Sequence, residues 1–119
     1  MKKLIAWVEI PTLNFKRAVK FYNVILNVDL HVFDFGHEKM AFFPNREGAV
    51  SFAPNFKPSE NGLLVSFNVS DSLENTMKRI ECNGGKIVQP KTKIEAEGMG
   101  YFALFIDCEG NKVGLYGDE

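Results

Sequence analysis

Residues 100–116 read Gly100-Tyr101-Phe102-Ala103-Leu104-Phe105-Ile106-Asp107-Cys108-Glu109-Gly110-Asn111-Lys112-Val113-Gly114-Leu115-Tyr116. Two runs rich in aromatic and aliphatic residues flank an Asp107-Cys108-Glu109-Gly110 turn, which predicts strands over Tyr101–Ile106 and Lys112–Tyr116. The turn has a counterpart earlier in the chain. Phe43-Pro44-Asn45-Arg46-Glu47-Gly48 aligns with Phe105-Ile106-Asp107-Cys108-Glu109-Gly110, and each joins the last two strands expected of its half. Units of this length cannot bury a sheet face alone, so the halves must associate, within one chain or across a dimer.

Outward from the turns, the same order of elements is predicted twice. Leu4–Ile10 is an apolar, β-branched run that reads as a buried strand ended by Pro11. Asn14 is placed to cap a helix whose buried stripe is Phe15, Ala18, Val19, Tyr22, Ile25 and Leu26. Strands are expected over Val28–Phe35, Lys39–Phe43 and Gly48–Ala53, followed by a Pro- and Gly-bearing linker, Pro54–Gly62. The second half repeats the plan with a strand over Leu63–Val69 and a helix through Leu73, Met77 and Ile80 that stops at Asn83-Gly84-Gly85. Asp71 and Glu74 read as its capping box. A strand from Lys86, extending to Ile94, then precedes the Glu95–Gly100 loop and the final strand pair.

Composition narrows the function classes. The chain has 119 residues, enough for one domain and too few for two independent cores. Its 14 basic and 15 acidic residues are interspersed, so no patch is expected to neutralise several phosphates, which excludes nucleic acid as an expected partner. Met1–Ile5 lacks the apolar run and cleavage site of a signal peptide. No stretch approaches the roughly 18 apolar residues of a membrane span. Cys82 and Cys108 form no CxxC and read as free thiols in a reducing cytoplasm.

In their order and spacing, several segments resemble the glyoxalase / bleomycin-resistance / extradiol-dioxygenase superfamily, also called the vicinal oxygen chelate superfamily. They are Trp7-Val8-Glu9-Ile10-Pro11, Phe15-Lys16-Arg17-Ala18-Val19-Lys20-Phe21-Tyr22, the helix end Ile80–Gly85, and the whole of Gly100–Tyr116. The resemblance implies an α+β fold in which two βαβββ modules form half-open barrels around a cavity, commonly as a homodimer. On that plan residues 1–119 are one domain, with module one over about 1–54, a linker over about 55–62 and module two over about 63–119. Metal enzymes of the family chelate a divalent ion with His and Glu at four places, which the resemblance puts here on Trp7, Ser51 or the adjacent Phe52, Val65 and Gly114. Indole, isopropyl and bare backbone supply no metal donor and a serine hydroxyl is a weak one, so neither a metal nor another cofactor is expected.

What remains is a candidate small-molecule pocket. Side chains two apart in a strand share a face, so Glu9 is expected beside Trp7, with Ser51, Val65, Phe67, Gly114 and Tyr116 completing a mostly apolar concave surface. Gly114 is expected to leave extra room there. Glu9 is the candidate catalytic residue, as a general base or as a hydrogen-bond anchor for a ligand; an ion pair with Lys112 is the structural alternative. His31 and His37 read as solvent-edge histidines, and acidic neighbours argue against Cys108 as a nucleophile. The Gly98–Gly100 loop, with Met99 and Tyr101 at its edge, is a candidate lid. The leading expectation is a metal-free small-molecule-binding protein. The alternatives are a glyoxalase-like lyase or isomerase acting on a small carbonyl or diol through Glu9, and an interaction module whose cavity is filled by Trp7 and Phe67.

Overall fold

A computed structural model describes residues 3–119; Met1 and Lys2, the start of the segment read above for a leader, lie outside the described residues. The first strand, β1 (Val8–Pro11), is shorter than the apolar run that announces it, and Leu4 is 98% exposed. The reason is pairing. β1 has one partner, β4 (Gly48–Phe52), which begins opposite Val8. A Cβ on Gly48 would lie 2.0 Å from the Val8 carbonyl oxygen, so only glycine lets the two strands start together.

Helix α1 (Phe15–Leu26) is capped as its sequence predicts, with the Asn14 side chain accepting from the Arg17 N–H at 3.1 Å. Strands β2 (His31–Asp34) and β3 (Lys39–Phe42) then complete an antiparallel meander with β4. The second module contributes β5 (Ser66–Asn68), α2 (Leu73–Cys82), β6 (Lys86–Lys93), β7 (Tyr101–Ile106) and β8 (Lys112–Gly117). The expected Leu63–Val69 strand contracts to three residues because pairing with β8 covers only Ser66–Asn68; Leu63 is 96% exposed.

The capping box at α2 is corrected by one residue. Ser72, not Asp71, is the N-cap, and its hydroxyl accepts from the Asn75 N–H at 3.1 Å. Asp71 instead holds Arg79 through two hydrogen bonds of 2.9 and 3.0 Å, and Glu74 pairs with Lys91 at 3.0 Å. The Arg79 guanidinium keeps the Asp71 carboxyl well below the usual carboxylate range.

The result is two open four-stranded sheets, ordered β1-β4-β3-β2 and β5-β8-β7-β6. In each, the first and last strands of the module run parallel and the rest antiparallel. This is the α+β architecture of paired βαβββ modules. The helices cover one face of each sheet, and between them lies a common core built on Tyr22, Ile25, Val50, Ile80, Phe105 and Leu115. α2 packs on β6, β7 and β8, whereas α1 packs on β4 and on α2.

The repeated turn joins the modules. Asp107 and Glu109, in the β7–β8 connection, are buried. Glu109 Oε1 accepts from the Leu13 and Asn14 N–H groups at 2.7 Å each, at the positive end of α1, and Oε2 accepts from Arg17 Nε at 2.7 Å. Asp107 accepts from the buried Tyr22 hydroxyl at 2.5 Å and, through Oδ1, from the Glu109 and Asn111 N–H groups. Burial and the facing Asp107 carboxylate push the Tyr22 phenol well above its ordinary pKa. Asn111 closes the set, donating to the Pro11 carbonyl at 2.8 Å and accepting from the Ser59 N–H, which pins the linker.

Candidate functional site

Strand alternation places Glu9, Ser51, Met40 and Phe42 on the face of sheet one that α1 does not cover, while Ile10, Ala41 and Val50 point into the core. Ser51 Oγ donates to Glu9 Oε1 at 2.8 Å. Ser51 is buried, whereas the Glu9 carboxylate is exposed. Beside this pair runs an aromatic row. Trp7 meets Phe42 edge-on with ring centroids 5.1 Å apart, Phe42 meets Phe33 at 4.7 Å, and Phe33 meets His31 at 4.8 Å. Phe35, stacked parallel to Phe33, extends the row outward and is 60% exposed. Together these groups form an apolar platform with one carboxylate oriented by a buried hydroxyl. A carboxylate held in this way can accept a hydrogen bond from a ligand whose flat apolar body lies on the rings. Phe33, Met40 and Phe42 are absent from the sequence reading, although period-two spacing along His31-Val32-Phe33 and Met40-Ala41-Phe42 carries the signal.

Sheet two does not complete that face in the expected way. Ser66 pairs with Gly114 and Asn68 with Tyr116, so these four share the open face. Val65 and Phe67 take the opposite side, and Phe67 packs on Tyr22 and Phe43 with ring centroids 5.8 and 5.2 Å away. The expected concave positions of Val65 and Phe67 are thus off by one residue, because β5 pairs with β8 in the register that sets Ser66 opposite Gly114 and Phe67 opposite the buried Leu115. Phe67 accordingly fills the core, not the space beside Glu9. Gly114 leaves no room either, since a Cβ built there would lie 2.3 Å from Ser66 Oγ. Tyr116 is tied up locally, accepting from the Gly100 N–H at 2.9 Å and donating to Asp118.

A groove of about 440 Å³ along the free edge of β1 brings Trp7, Glu9 and Val65 together, with Lys112 and Phe56 on its other side. Ser51, Phe67, Gly114 and Tyr116 do not line it. Glu9 and Lys112 share the groove without an ion pair; among the described residues the ion pairs are Arg17–Glu109, Arg79–Asp71 and Lys91–Glu74.

The donor chemistry does not suit a divalent transition metal. The four places that the resemblance implies hold an indole, a hydroxyl already donating to Glu9, the isopropyl group of Val65 and a glycine, and Ser66, which faces Gly114, adds only another hydroxyl. Among the described residues no three His, Cys, Asp or Glu side chains cluster as metal ligands. His31 and His37 are exposed. Burial, then Asp107 and Glu109, push the Cys108 thiol up to about 12, as its acidic neighbours lead one to expect.

The candidate lid is fastened. Lys93 Nζ donates to the Met99 and Gly100 carbonyls, and its ammonium lies over the Tyr101 ring at 5.2 Å. Gly100 sits so close to the Gly117 carbonyl that a Cβ would be 2.2 Å from it.

A family model for the Glyoxalase/Bleomycin resistance protein/Dioxygenase superfamily matches residues 4–115. A glyoxalase/bleomycin resistance protein from Albidiferax ferrireducens T118 superimposes with TM-score 0.75 at 17% identity, covering 98% of this chain and 100% of its own. A glyoxalase/bleomycin resistance protein/dioxygenase family enzyme from Burkholderia phytofirmans PsJN gives 0.72 at 13% identity, covering 97% and 98%. TnmS3, an antibiotic binding protein from Streptomyces sp. CB03234, gives 0.65 at 19% identity, covering 99% and 98%. At these identities the likeness is one of fold. No curated protein matches the sequence.

Proposed function

The chain belongs to the glyoxalase/bleomycin resistance protein/dioxygenase superfamily, and we propose that within it this protein binds a small, flat, largely apolar molecule without a metal. The observation that carries the reading is the uncovered row Trp7–Phe42–Phe33 beside the Glu9–Ser51 pair. The rings offer stacking area, and Glu9 supplies the one hydrogen-bond acceptor that fixes orientation. An antibiotic-binding relative on the same scaffold supports the class of activity. On this reading Trp7, Glu9 and Ser51 are the binding residues, and Val65 contributes only through the β1 groove. The protein works as a cytoplasmic homodimer whose second copy covers the exposed Phe35 at the outer end of the row and leaves Trp7, Phe42 and Phe33 open to the ligand, and its partners include neither nucleic acid nor membrane. Among the described residues no helix is long and apolar enough to cross a membrane.

The test is ligand-dependent thermal stabilisation against a panel of small planar aromatics, since binding to the native state alone raises stability by mass action. Stabilisation that disappears in Phe42→Ala and weakens in Glu9→Gln is expected. Stoichiometric transition metal in untagged protein, or turnover of a carbonyl or diol abolished by Glu9→Gln, would replace binding with catalysis.

A further inference from the structure

A groove of about 800 Å³ lies on the other side of sheet one, between α1 and the outer strand β2. It exists because α1 sits over β4 and leaves β2 without a helix above it; in module two, α2 reaches the outermost strand β6. Sheet-side residues that would ordinarily be buried therefore stay wet, and Val32 is 49% exposed. The floor is Val32 and Phe52, and the wall is Val19 and Val24 of α1 with Leu13 at its entrance. Leu13 and Val24 are also exposed.

The rim has a definite sign. Lys16, Lys20 and Lys39 line the groove against a single carboxylate, Asp34. Among the described residues none of the three lysines makes an ion pair. Lys39 lies over the Phe52 ring, 5.8 Å from its centroid, and Asp34 Oδ1 accepts from the Gly36 N–H at 2.8 Å. Lysine stems lie on apolar surface while their ammonium groups stay in water, so this border adds hydrocarbon area below and positive charge above. The volume is within the range of small-molecule sites.

We propose that this groove is a second binding site, separate from the aromatic face, for an amphipathic anion: a medium-chain or aryl carboxylate whose apolar body lies on Val32 and Phe52 and whose charged head meets Lys16, Lys20 and Lys39. The apolar lining selects the tail and the unpaired ammonium groups select the sign of the head. A cation with the same tail meets repulsion at the same rim.

The test uses sodium decanoate, below its micelle concentration, titrated into the full chain by calorimetry, with decyltrimethylammonium as the charge-reversed probe. Decanoate is expected to bind and the cation to bind at least tenfold more weakly. Exposed charge pairs are individually weak, so Lys16→Glu, Lys20→Glu and Lys39→Glu together are expected to weaken decanoate about tenfold and strengthen the cation. Phe42→Ala, on the opposite face, is expected to leave decanoate binding unchanged, which keeps this site distinguishable from the aromatic one. The proposal is overturned if decanoate does not bind, if the two probes bind equally, or if Phe42→Ala abolishes binding while the lysine variants do not.

Discussion

Glu47 and Glu109 hold matching places in matching turns, yet Glu47 is exposed while Glu109 is buried against the start of α1. The second turn fastens module two to module one; among the described residues no side-chain hydrogen bond or ion pair ties Glu47 to a helix end. The modules also differ on their uncovered faces. Sheet one shows Phe33, Phe42 and Glu9, with Trp7 just ahead of β1, whereas sheet two shows Ser66, Asn68, Tyr116, Phe102 and Leu104 and, among the described residues, no carboxylate. Duplication supplied two copies of one frame, and the copies divide the work. Module two holds the pair together, and module one carries the aromatic row beside a carboxylate that a buried hydroxyl orients, the surface on which the proposed ligand would be both stacked and hydrogen-bonded.

The sharpest break of that comparison is at the turns. Glu109→Ala is expected to destabilise by about 3 kcal/mol, the scale for removing one member of a buried charged pair, discounted because Arg17 is half exposed. Glu47→Ala should stay within about 0.5 kcal/mol, as surface changes do. Urea unfolding of both measures the difference, and equal losses would contradict the clasp. Next, Tyr22→Phe removes the phenol that donates to Asp107 Oδ2, leaving Asn111 Nδ2 as that oxygen's remaining donor. About 1–2 kcal/mol should be lost in the same assay.

A smaller effect tests the register of sheet two. Gly114→Ala should cost about 1 kcal/mol by forcing Ser66 Oγ aside, and Ser66→Gly should recover most of it, as neighbours that share a clash couple. Recovery by Val65→Gly instead would restore the other register. The smallest concerns the thiols. Cys82 is exposed, whereas Cys108 in the clasp is held up to about 12. Its neutral form therefore contributes stability that is complete below the free thiol's value of 9.0 and is lost as pH rises through about 12. Alkylation by iodoacetamide at mildly alkaline pH, followed by mass spectrometry, should modify Cys82 first; equal rates would contradict the assignment.

Much of the frame is legible in the residues. The doubled turn announces two modules, and Asn14 and Gly84-Gly85 mark helix ends that the structure keeps. Strand starts are less legible, because Leu4, Ile5, Leu63 and Leu64 continue the apolar pattern past the point where a partner strand exists. Val65 and Phe67 face away from the expected side for a separate reason: alternation fixes which residues go together, and pairing fixes which way they point. The Glu9–Ser51 contact joins strands far apart in sequence, and only the parallel pairing of β1 with β4 reveals it.

Trp7 is the chain's single tryptophan and stands on the aromatic face, so its emission reports that face alone. Titration with whichever planar aromatic most stabilises the protein should quench Trp7 saturably, with the quenching lost in Phe42→Ala. Stabilisation by that ligand with Trp7 emission unchanged would show that the ligand binds elsewhere and that the uncovered face of sheet one is not the binding surface.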